Sequence, residues 1–118
     1  MPLHIVHKLT EGVMVLDARG RITLGHETEA LRLAIREAVA AGYPRIVLDL
    51  AGIDYIDSAG LGTLVASFAS ARRAGGELKL ANLTLRVRSL MQITRLSTVF
   101  EVYDSVEEAR RSFTRSGL

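Results

Sequence analysis

Ser58 has the surroundings best suited to chemistry in this chain. It stands within Ile53-Asp54-Tyr55-Ile56-Asp57-Ser58-Ala59-Gly60-Leu61-Gly62. Upstream, the β-branched apolar run Arg45-Ile46-Val47-Leu48-Asp49-Leu50 reads as a strand covered on both faces. Downstream, Leu61, Leu64, Val65 and Phe68 recur at helical spacing. A helix therefore starts close to Ser58, with either Asp57 or Ser58 as its N-cap, and its first backbone N–H groups point toward the serine hydroxyl. Such a seam can hold an anion, seat a nucleophile or cap a helix.

The nucleophile reading fails on its neighbours. An elbow serine needs G-x-S-x-G, and here position 56 is isoleucine while Gly60 alone fits. Only His4, His7 and His26 are available as a base, and the first two lie three apart on one strand, facing opposite ways. Edge or surface positions are the simpler account of all three, and they have neither the number nor the spacing of a metal site.

Nucleotide and phosphotransfer templates also fall short. Gly60-Leu61-Gly62 matches only half of a dinucleotide fingerprint, with Val65 where the third glycine belongs, and Thr63 follows Gly62 without the lysine of a phosphate loop. Asp54 and Asp57 end a third strand as a phospho-accepting aspartate would. That chemistry also wants Mg²⁺ ligands at an early strand end and a late lysine, whereas Asp17 stands alone and Lys79 begins its strand. A plain N-cap at Ser58 would contribute about 0.5 to 2 kcal/mol. Gly60 and Gly62 argue for more than capping, because glycine inside a helix costs about 1 kcal/mol relative to alanine. Something requires that surface bare, whether the preceding loop, a packed strand or a partner backbone.

The elements that must position this segment can be read around it. Leu3 to Lys8, a turn at Glu11-Gly12 and Val13 to Asp17 predict an opening β-hairpin, with a second turn at Arg19-Gly20. From Glu27 to Ala41, Leu31, Ala34, Ile35 and Ala38 form a helical stripe stopped by Gly42 and Pro44. The helix after Ser58 ends at Arg72-Arg73-Ala74-Gly75-Gly76, with cations at its negative end and glycine for the cap. Glu77 to Ala81 is a strand, Thr84 caps a helix carrying Val87, Leu90 and Met91, and Val99 to Tyr103 is a further strand. Ser105-Val106-Glu107-Glu108 spells a capping box for a last helix bearing Ala109 and Phe113, with a polar tail from Thr114 to Leu118 expected to fray. The order ββαβαβαβα predicts an α/β fold, a mixed but mainly parallel sheet led by an antiparallel hairpin and sheathed by about four helices. In open sheets of this kind the functional surface lies beyond the carboxyl ends of the strands, where residues 53–62 fall.

Composition bounds the partners. The 118 residues, 48% of them hydrophobic, suit one domain spanning 1–118 with a single core. Fifteen Lys and Arg against thirteen Asp and Glu give a net charge of +2. The cations, all arginine but for Lys8 and Lys79, are scattered, and three Tyr, three Phe and no Trp leave little to stack on bases, so direct nucleic-acid binding is not expected. The absence of cysteine suits a reducing compartment. With no secretory pattern at Met1 to Lys8 and no apolar run of membrane-spanning length, the expectation is a cytoplasmic protein without membrane insertion.

With these residues in view, Tyr55-Ile56-Asp57-Ser58-Ala59-Gly60-Leu61-Gly62 resembles the signature of the STAS family, the sulfate-transporter and anti-sigma-factor-antagonist domains. The likeness extends over nearly the whole chain, including Gly75 to Asn82 and Thr94 to Tyr103. A free-standing domain of this length is similar to the bacterial anti-sigma factor antagonists. The resemblance implies a non-catalytic protein without cofactor or metal that binds an anti-sigma factor serine kinase. It implies phosphorylation at Ser58 by that kinase as the release step and a serine phosphatase as the reset. Carried over residue by residue, the partner surface would comprise Thr23, Asp54, Asp57, Ser58, Ala59, Gly60, Leu61 and Gly62.

The chain departs from the family pattern at three positions. Gly20-Arg21-Ile22-Thr23 stands where many antagonists carry Gly, any residue, Leu and then Asp, so Thr23 lacks a carboxylate. Arg95 replaces a common glycine, and Ala59 leaves Ser58 as the only phosphoacceptor in the signature. The alternative within the family is an interaction subunit of another assembly, a lipid ABC transporter accessory domain or a stressosome-like scaffold, without a phospho-switch.

Overall fold

The computed structural model describes residues 2–116. The elements run β1 (His4–Thr10), β2 (Val13–Ile22), α1 (His26–Ala40), β3 (Arg45–Ile56), α2 (Ser58–Arg73), β4 (Glu77–Ala81), α3 (Leu85–Ile93), a 3-10 turn (Leu96–Thr98), β5 (Val102–Tyr103) and α4 (Val106–Ser116). The five strands lie side by side in chain order, with β1 antiparallel to β2 and every other pair parallel. The expected α/β architecture is thus present.

Strand alternation divides the side chains between two cores. Met14, Leu16 and Ala18 of β2, with Ile46, Leu48 and Leu50 of β3, pack in one cluster with Leu31, Ile35, Leu64, Val87 and Met91 of α1, α2 and α3. The intervening Val13, Val15 and Val47 join Ala81 under Ala109 and Phe113 of α4. Three helices therefore share one face of the sheet, and α4 alone covers part of the other.

Lys79 lies within that second core, in contact with α4. It is 1% exposed, its Nζ donates to Ser112 Oγ at 2.7 Å, and it lies 3.3 Å from Glu101 and 3.8 Å from Glu77. The ammonium also sits 4.2 Å from the centre of the Phe113 ring.

Several ends follow the sequence signals. Glu11 and Gly12 both take positive φ, the backbone a two-residue hairpin loop needs. The Val87 N–H donates to Thr84 Oγ1 at 3.3 Å, and the Glu108 N–H to Ser105 Oγ at 3.1 Å. Gly75, at φ 85°, closes α2 behind Arg72 and Arg73.

Others differ from expectation. β3 runs six residues past Leu50, pairing Gly52, Ile53, Tyr55 and Ile56 with Arg19, Gly20, Arg21 and Ile22. Arg19-Gly20 is consequently not a turn but part of β2, flanked by two register shifts at which β3 carries the extra residue, and with Gly20 at φ 112°. β5 shrinks to Val102–Tyr103, because Phe100 turns inward to stack edge-to-face on Phe68 at 5.3 Å while Val99 stays exposed. α4 continues through Ser116 instead of fraying from Thr114, and residues 117–118 lie outside the described residues. Among the described residues no helix is long and apolar enough to cross a membrane.

Candidate partner-binding site at Ser58

β3 ends at Ile56 and α2 begins at Ser58, so Asp57 is the single residue joining them. Asp57, in extended conformation, is the N-cap; the choice left open between it and Ser58 is settled by its Oδ1, which accepts the Gly60 N–H at 2.8 Å. Its other oxygen accepts the Leu24 N–H at 3.1 Å, and its own N–H donates to Ile22 O at 3.3 Å. One carboxylate thus fastens the loop after β2 to the first turn of α2. These bonds, that from Gly60 foremost, hold the Asp57 carboxyl below the usual carboxylate range despite partial burial.

Ser58 occupies the first helical position, exposed, and among the described residues its hydroxyl makes no hydrogen bond. Asp54 and Gly62 are exposed beside it and Ala59 is half-buried. Thr23 is half-buried too, and its hydroxyl donates to Glu27 Oε1 at 2.7 Å, a local bond that occupies its donor.

Two of the expected contact residues face inward. Leu61 is 3% exposed within the main core. Gly60 is buried, and a Cβ there would overlap the Ile22 carbonyl oxygen and stand 2.9 Å from Ile22 Cγ2 and from Ile56 Cγ1. Of the three reasons offered for a bare surface, the packed strand accounts for Gly60. Gly62 has no atom within 4 Å of such a Cβ, so nothing inside this chain requires its bareness.

The surface also includes side chains that motif reasoning did not assign to it. Leu24, two residues past β2, is 77% exposed and Leu85, the first residue of α3, 83% exposed, and Tyr55 is exposed with the Arg86 guanidinium 5.4 Å from its ring centre. Large apolar residues left open along one edge, with a charged rim, suit a protein contact. The available signal was positional: a leucine in the loop after β2 and another opening the helix after β4, at the edge where such folds bind.

The groups that acid–base or metal chemistry would need are dispersed. His4 and His7 sit on β1 and His26 opens α1, and among the described residues no three His, Cys, Asp or Glu side chains converge as metal ligands.

Such an arrangement, a serine at a helix start on the carboxyl edge of a hairpin-led parallel sheet, defines a class of α/β domain. The chain belongs to the STAS domain family, whose pattern matches residues 4–109. It is 32% identical to the candidate anti-sigma factor antagonist BtrV of Bordetella bronchiseptica over 87% of this chain and 88% of that one. It is 26% identical to the anti-sigma F factor antagonist of Paenibacillus polymyxa, over 89% and 90%. A crystal structure of a candidate anti-sigma factor antagonist from Thermotoga maritima superimposes with a TM-score of 0.82 at 23% identity, covering 92% of each chain.

Proposed function

We propose that this chain is a cytoplasmic, single-domain anti-sigma factor antagonist. It binds an anti-sigma factor that is also a serine kinase, through the edge bearing Leu24, Tyr55, Ser58, Gly62 and Leu85. The observation that carries the reading is the setting of Ser58: exposed, without a hydrogen bond among the described residues, and held by a rigid junction amid apolar surface. The names of the Bordetella and Paenibacillus relatives support the same activity.

The switch follows from charge. The kinase moves the γ-phosphoryl group of ATP to Ser58 Oγ, leaving ADP and releasing the serine proton; a serine phosphatase hydrolyses the ester and resets the chain. The phosphate adds a charge of about −1.5 to −2. Asp57 already takes the Gly60 N–H, so the helix start has one donor fewer to spare for it. The new charge therefore remains in the partner-facing space beside Asp57, where docking would have to desolvate it.

Calorimetric titration of the cognate anti-sigma factor against unmodified and phosphorylated chain tests this. Tight binding of the first alone is expected; equal binding of both would overturn the switch, and a partner lacking kinase activity would overturn the choice of partner.

A further inference from the structure

The outer face of α3 is apolar where a solvent-facing helix is ordinarily polar. Val87 and Met91 turn into the main core, 0% and 1% exposed, and Leu90 packs half-buried against it. Leu85, Ser89 and Ile93, spaced four apart, form the opposite ridge. Leu85 is 83% and Ile93 79% exposed, the two most open large apolar side chains among the described residues. The helical rise sets them about 12 Å apart along the axis. A lone exposed leucine needs no explanation, but two such residues on one ridge point to a contact.

The charge around the ridge has one sign. No Asp or Glu occurs between Glu77 and Glu101, whereas Arg86, Arg88 and Arg95 belong to α3 and the turn that follows it. Arg88 comes within 4.0 Å of Asp104, from the β5–α4 connection. Arg86 lies over Tyr55, and neither it nor Arg95 has a carboxylate partner among the described residues. Arg86 also stands in the first turn of α3, where the positive end of the helix disfavours a cation.

Arg95 adds a backbone observation. Its φ of 61° is a left-handed conformation that glycine adopts freely and a residue with a Cβ resists. Its guanidinium makes no hydrogen bond or ion pair among the described residues, so nothing inside this chain accounts for an arginine at that position.

We propose that this ridge lengthens the anti-sigma factor interface, from Leu85 at the Ser58 edge along α3 to Ile93 and Arg95, against a partner surface that is apolar at its centre and acidic at its rim. The inference rests on the antagonist reading and names the chemistry of the partner. Leu85 belongs to both stretches, and Arg86 joins them through its contact with Tyr55, so the ridge is continuous with that edge. Leu85 and Ile93 fill the apolar centre while the arginines meet carboxylates around it, as protein interfaces are ordinarily built. Ser89, exposed midway along the ridge, can hydrogen-bond a protein surface but not the acyl chains of a membrane.

Calorimetric titration of the full chain against the cognate anti-sigma factor, repeated over a range of NaCl concentrations, tests the proposal. Ile93→Gln should weaken binding about tenfold or more, the scale of one aliphatic side chain withdrawn from an interface, with the melting temperature of the free chain unchanged. The double variant Arg86→Gln, Arg95→Gly should bind more weakly at low salt and lose affinity less steeply than the native chain as NaCl rises. Full affinity in Ile93→Gln, with binding still abolished by Ser58→Asp, would overturn this inference alone. Absence of binding by the native chain would overturn the antagonist reading and this inference with it. An unchanged salt dependence in the double variant would overturn the acidic rim. Sedimentation with phosphatidylglycerol vesicles that Ile93→Gln abolishes would assign the ridge to a membrane and likewise overturn the proposal.

Discussion

Asp57 and Leu24, 33 positions apart, are joined by a hydrogen bond of 3.1 Å from the Leu24 N–H to the aspartate carboxylate. The most prominent apolar side chain of the β2–α1 loop is thereby fixed relative to Ser58, although the two belong to different connections. Asp57→Ala removes this tie and the helix cap together. We expect a loss of about 1 to 2 kcal/mol in urea unfolding. Asp57→Asn, which keeps an acceptor, should lose less, and equal losses would show that the cap does not depend on the side-chain oxygens.

Acid should dissolve the same tie. Because the folded-state pKa of Asp57 is depressed, its contribution is complete above the ordinary value of 3.8 and is lost as pH falls through the lower folded-state value. The stability difference between the native chain and Asp57→Asn should therefore shrink from about pH 5 to pH 2. Chemical denaturation across that range measures it, and a gap that widens toward acid would refute the assignment.

Gly60 and Gly62 should separate sharply on substitution. Alanine at Gly60 drives a Cβ into the Ile22 carbonyl, and backbone cannot yield as a flexible side chain does, so a cost of about 3 kcal/mol is expected. Alanine at Gly62 meets open space within a helix and should stabilise the free chain by up to about 1 kcal/mol. If Gly62 lies against a partner, that same variant should bind more weakly despite its higher melting temperature.

Ser58→Asp places one extra charge on an exposed position at a helix start, and the isolated chain should change by less than about 1 kcal/mol. Affinity for the anti-sigma factor should fall by about 100-fold or more, the scale of an uncompensated charge in an interface. Unaltered melting with lost binding is the pattern that distinguishes a switch from a folding defect.

Lys79 is buried, yet its carboxylate neighbours are not: the Glu77 and Glu101 side chains are 39% and 56% exposed. Lys79→Met consequently strands no charge, and Ser112 keeps its bond to Ala109 O at 2.6 Å. Methionine should cost less than about 1 kcal/mol. Lys79→Ala leaves a void under Phe113 and should cost about 2 to 4 kcal/mol. Comparable losses in both would mean that the ammonium itself holds α4 in place.

The legible parts of this fold were those written in local chemistry. Thr84 and Ser105 announce helix starts and Glu11-Gly12 a hairpin, because each acts on backbone groups within a few positions. The far half of β3 was hidden because its buried Ile53 and Ile56 are three apart, a spacing that the register shifts against β2 make possible but period-two alternation does not reveal. At the site, the helix start at Ser58 could be read from type and spacing. The inward turn of Leu61 and the outward exposure of Leu24 and Leu85 could not, since which face is covered depends on packing with distant elements.

The strand order has a consequence for how the chain is made. Because spatial order equals chain order, each new strand leaving the ribosome finds its sheet neighbour already synthesised. None has to wait for a distant segment or thread past an earlier one, and nucleation can begin with the hairpin and add one crossover at a time. Only the face awaiting α4 stays uncovered until synthesis reaches Val106, so an interrupted chain would expose Val13, Val15 and Val47 and fall to quality control before it could reach a partner.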